Sequence, residues 1–145
     1  MMTILNWSVK FQTWLRTDQI FNILNSQSEG DVDFTDWSAG GCLLLATALA
    51  EALPGAELQS IATEEIPINH VVTCISTHYI DADGVFTKAG ILEAQNKENR
   101  SLCTINAYDA GLAFIWDIHC PPVKLHLLKQ ELAQFLTENP FPTQA

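Results

Sequence analysis

Cys42 follows a Gly-Gly pair at the head of an apolar stretch, Trp37-Ser-Ala-Gly-Gly-Cys-Leu-Leu-Leu-Ala-Thr-Ala-Leu-Ala-Glu-Ala-Leu53. A thiol at the start of a helix lies near the positive end of the helix dipole, which favours the thiolate. Downstream, His70 opens the run His-Val-Val-Thr-Cys-Ile, and Asp81 closes the run His-Tyr-Ile-Asp. A thiol, an imidazole and a carboxylate in that order can supply a nucleophile, its general base and the group that orients the base. Taken singly, each residue has a plainer role: a core thiol, a hydrogen-bonded structural histidine, a strand-end turn former. All three fall at the ends of regular elements in one consistent order, and that joint pattern favours chemistry over the plainer roles.

The elements that must position these groups can be read from periodicity. In a strand, residues two apart share a face, so His70, Val72 and Cys74 point the same way. Paired as a tight hairpin, the two strands set His70 opposite Asp81 or Asp83; Asp81 is favoured because Asp83 belongs to the Asp-Gly turn. Val72 and Cys74 are then expected to pack against the helix that Cys42 begins, drawing His70 to its N-terminus. Gly40 and Gly41 have no Cβ to obstruct a substrate carbonyl, and the Cys42 amide can donate to the developing oxyanion.

Around this centre, Ile4, Trp7, Phe11 and Trp14 form the stripe of one helix, and Thr17-Asp18 starts a second through Leu24. Residues 1–26 form this N-terminal helical segment; Asn25 to Asp33 reads as a surface loop. The stretch from Cys42 to Leu53 is apolar nearly all round, as in a buried helix, and Pro54-Gly55 ends it. Strands are expected at Glu57 to Thr63, His70 to Ile75, His78 to Asp81, Leu102 to Tyr108 and Leu112 to Ile118, with a helix from Thr87 to Asn99 whose inner side holds Ile91 and Leu92. His78 is expected to face solvent at the hairpin turn. A last helix follows Pro121-Pro122 and places Leu125, Leu128, Leu132, Phe135 and Leu136 on one face, and the tail 138–145 is expected to be loose. Together these define one α+β domain spanning 1–145, with a buried helix packed on an antiparallel sheet.

Composition narrows the partners. With 17 acidic and 7 basic side chains the net charge is -10, which disfavours nucleic acid and anionic membrane surfaces. No apolar run is long enough to span a bilayer, and no export signal is read, so the expected compartment is the cytoplasm. Cys42, Cys74, Cys103 and Cys120 lack C-x-x-C spacing, so free thiols are expected. His119, Cys120, His126 and Cys103 lack the short paired spacing of a zinc site. The Asp81-x-Asp83-Gly84 opening of a calcium loop fails because position twelve is Leu92. No metal and no cofactor is expected.

Gly-Gly-Cys opening a helix, His opening a strand and Asp ending the next strand resemble the papain-like superfamily, nearest its transglutaminase-like and bacterial cell-wall peptidase branches. The likeness spans Asp36 to Gly84. It implies a papain-like core with Cys42 as nucleophile, His70 as base and Asp81 as third member, and with Gly41, Trp37 and Ser38 bordering the substrate or oxyanion. It departs at Asp36, where papain has an oxyanion-binding glutamine, leaving Trp37 or Ser38 to supply that contact, and at Leu43, where the transglutaminase branch often has tryptophan. The function implied is thiol-dependent hydrolysis or acyl transfer at an amide bond of a peptide or other amide, neutral or cationic. The competing reading is a non-catalytic acidic interaction protein on the same scaffold.

Overall fold

The aromatic stripe at the N-terminus folds as α1 (Ile4–Leu15), which begins where the Thr3 hydroxyl accepts a 3.1 Å hydrogen bond from the Asn6 amide. The computed structural model describes residues 2–25, 40–115 and 120–142, at 25 and 40–42 through the backbone alone. Trp7 and Phe11 are buried and stacked at 4.9 Å, and α2 (Asp18–Asn25) adds Ile20 and Leu24 to the same core. Helix α3 (Gly40–Ala52) starts two residues before Cys42, so Cys42 sits in its first turn. Leu44, Ala48 and Leu49 are fully buried along it, as an all-round apolar helix requires. Gly55 takes a positive φ of 83° just beyond its end.

Five antiparallel strands follow: β1 (Glu57–Ala62), β2 (His70–Ile75), β3 (His78–Asp81), β4 (Gly84–Phe86) and β5 (Thr104–Ala107), side by side in the order β4-β3-β2-β1-β5. β4 has no counterpart in the periodicity, because three residues after an Asp-Gly turn are too few to display one. Gly84 is required there. Its φ is 125°, and a Cβ would lie 2.5 Å from the Ser8 hydroxyl oxygen, the same oxygen that accepts from the Val85 amide and ties β4 to α1.

The two faces of the sheet meet different helices. Val71, Thr73, Ile75 and Ile80 face α3, where the buried Thr73 hydroxyl donates to the Ala46 carbonyl at 2.8 Å. Ile61, Val72, Cys74 and Tyr79 lie on the other face in one cluster with Ile91 of α4 (Lys88–Asn99). The Thr87 hydroxyl caps α4 by accepting from the Gly90 amide at 3.0 Å.

Three expectations are corrected. The apolar run from Leu112 was read as a strand, but residues to Ile115 form the helix α5 (Ala110–Ile115), and 116–118 lie outside the described residues. A short apolar run has no diagnostic period, and the Asp109 carboxylate accepting from the Leu112 amide at 3.0 Å starts a helical turn. The tail read as loose from 138 is tied down through Phe141. Helix α6 (Pro122–Glu138) ends beside α1, the Trp7 indole donates to the Asn139 carbonyl at 2.9 Å, and Phe141 packs edge-on to Trp7 at 4.8 Å. Phe141 also lies edge-on to His78, which is half-buried instead of facing solvent. Among the described residues no helix is long and apolar enough to cross a membrane.

Candidate functional site: a histidine–aspartate pair at the end of the sheet

His70 is the first residue of β2 and Asp81 the last of β3. The β2–β3 register pairs Thr73 with Ile80 and Cys74 with Tyr79, so Asp81 falls on His70's face, one step diagonal from it. His70 Nε2 lies 2.9 Å from Asp81 Oδ2, and Asp81 Oδ1 accepts from the Asp83 amide at 2.8 Å. Both carboxylate oxygens are thereby held in place. The aspartate side chain is 6% exposed and the imidazole 16%, so the pair is shielded from water on most sides. A carboxylate only accepts, so Nε2 carries the proton in this contact. The contact fixes the orientation of the imidazole.

The packing expected to draw His70 to α3 is not what the structure has: the β2 register puts the His70 side chain on the α4 face, with Val72 and Asp81. Val72 and Cys74 do not pack against α3; they pack on the α4 side, and Val71 and Thr73 face α3 instead. β2 is buried on both faces, so its sequence does not say which face meets which helix. What α3 and His70 share is an end of the sheet. Leu43, next to Cys42, lies in one apolar cluster with Ile68 and Val71, on either side of His70 in the chain. Cys42 and Gly41 enter only through the backbone of α3, and Trp37 and Ser38 lie outside the described residues. By helix geometry the Cys42 amide is among the first-turn donors without an intrahelical acceptor.

The other thiols are buried or partly buried. Burial pushes the Cys74 and Cys120 thiols up, outweighing the hydrogen bonds from Tyr79 and Thr47 that act the other way. Cys103 is buried, with its sulfur directed at the Ser101 carbonyl.

A cleft of about 300 Å³ opens beside the pair, lined by Asn69, His70, Asp81, Asp83, Gln95, Glu98 and Asn99 among others. Asn69 donates to Asn99 at 3.0 Å, and Asn99 donates to the Gln95 carbonyl at 2.8 Å, so the α4 end of the cleft is held by amide side chains. These α4 residues were missed from sequence. The signal was present: 91, 95 and 99 follow four-residue spacing, so the inner stripe begun by Ile91 continues into Gln95 and Asn99. Among the described residues no group of three or more His, Cys, Asp or Glu side chains is gathered that could hold a metal ion. Compared with family models, with curated proteins and with solved structures, the chain matches none.

Proposed function

We propose that this chain is a cysteine-dependent enzyme with a papain-like core, acting at an amide bond. Cys42 is the nucleophile, His70 its base and Asp81 the residue that fixes the base. The observation that supports this most is the 2.9 Å His70–Asp81 pair at the end of the sheet where α3 begins. The raised Cys74 and Cys120 thiols favour Cys42 over those two.

His70 takes the Cys42 thiol proton, and the sulfur adds to the substrate carbonyl as the C=O electron pair moves onto oxygen. The first-turn amides of α3, Cys42's included, donate to that oxyanion, where Gly41 adds no side chain to obstruct approach. Collapse breaks the C–N bond, and His70 passes its proton to the departing amine, leaving a thioester on Cys42. Water or a second amine then attacks the thioester, His70 removes the proton, and the thiolate leaves. Asp81 balances the imidazolium charge at each stage without taking the proton. Trp37 and Ser38 border the substrate in this scheme.

Labelling with a panel of electrophilic acyl probes tests it. The wild-type chain is expected to acquire one acyl group, lost in Cys42→Ala and slowed about a hundredfold in His70→Ala. Labelling that persists in Cys42→Ala, or is equally fast in His70→Ala, would overturn the assignment.

A further inference from the structure

We infer that the cleft beside His70 and Asp81 is a subsite for a peptide residue with a basic side chain. Its place next to the reaction rests on the thiol-enzyme reading; the binding itself does not.

Two independent observations converge on this ligand. The first is charge. Asp83 and Glu98 line the cleft as exposed carboxylates, and no lysine or arginine is among its lining residues. Glu98 and Asn99 also lie in the last turn of α4, with the exposed Lys97 between Asn96 and Glu98, and the carbonyl end of that helix carries the negative pole of its dipole. Both terms favour a cation. The second is an unmet donor. Gln95 is 7% exposed and lines the cleft; its Oε1 accepts a long 3.4 Å bond from Asn99, while its Nε2 has no acceptor among the described residues. A buried amide N–H without an acceptor is costly, and a ligand carbonyl at that position would relieve it.

The ligand therefore needs a positive group for Asp83 and Glu98 and a carbonyl for Gln95. A simple diamine has the first without the second, and a neutral peptide the second without the first. A lysine or arginine residue within a peptide has both, and about 300 Å³ is at the small end of ligand pockets, suited to one residue. A second cleft of about 320 Å³ shares Asn99 with the first and is lined by Glu64, Glu65 and Arg100 among others.

The test is a titration of the ¹⁵N-labelled full chain, followed by NMR, with Nα-acetyl-lysine methylamide and its neutral isostere Nα-acetyl-norleucine methylamide. It is run in the wild type and in Cys42→Ala. The lysine compound is expected to shift the Gln95 side-chain amide signals in both proteins, and the norleucine compound to bind at least about fivefold more weakly. Glu98→Gln and Asp83→Asn should each weaken the lysine compound about two- to fivefold, and raised salt should do likewise. Equal affinity for the two compounds, unchanged binding in both variants, or no shift at Gln95 would overturn the subsite. Binding that survives in Cys42→Ala while acyl labelling fails in the wild type would sink the thiol chemistry and leave the subsite standing.

Discussion

The sheet's two faces are built from alternate residues of the same strands, yet they end differently. Beneath α3, Ile75 and Ile80 pack with Leu44 and Leu49, Val71 packs with Leu43 and Ala46, and the buried Thr73 hydroxyl is spent on a helix carbonyl. Beneath α4, the apolar cluster of Ile61, Val72 and Tyr79 gives way at the start of β2 to His70, Asp81, Gln95 and Asn99 around an open cleft. Apolar burial at about 25 cal/mol per Å² stabilises the first face, whereas the second keeps polar groups whose burial would otherwise be costly. A single strand, β2, thus contributes its odd residues to stability and its first residue to the candidate chemistry.

That contrast can be broken by substitution. Leu44→Ala removes a fully buried side chain from the α3 face and is expected to cost about 3 kcal/mol of unfolding free energy in urea denaturation. Thr87→Ala, on the α4 side, removes the cap of α4 and should cost about 1 kcal/mol, with faster amide exchange in α4 than in α3. If the two costs proved equal, or if α3 loosened with α4, the division of the sheet into a stabilising and a working face would fail.

Much of this architecture is legible in the chain. The Trp7–Phe11 stripe has the helical period, the apolar run after Cys42 is too long for an ordinary strand, and the hairpin from His70 to Asp81 is marked by β-branched residues and a short turn. That Asp81 shares a face with His70 also follows from alternation, but the register sets it opposite Val72 and diagonal to His70, not directly opposite as expected. What the sequence does not reveal is the partner of each face. His-Val-Val-Thr-Cys-Ile is apolar on both sides, so nothing local assigns Val72 to α4 and Thr73 to α3; that choice is made by elements distant in the chain. The same absence of period hid α5, where one aspartate cap outweighs a strand-like composition. Gln95 and Glu98 were overlooked because polar residues on a helix ordinarily mark its solvated side, and only the fold puts them over the end of the sheet.

The most direct measurement is the pH dependence of iodoacetamide alkylation at each cysteine of the folded chain, read by peptide mass spectrometry in the wild type and in His70→Ala. Burial raises the Cys74 and Cys120 thiols, so both hold less thiolate at a given pH and should stay almost unmodified below pH 8. Cys42 should react at pH 6 in the wild type and lose that reactivity in His70→Ala. Alkylation of Cys42 no faster than that of the other three cysteines, or indifferent to loss of the imidazole, would contradict the account.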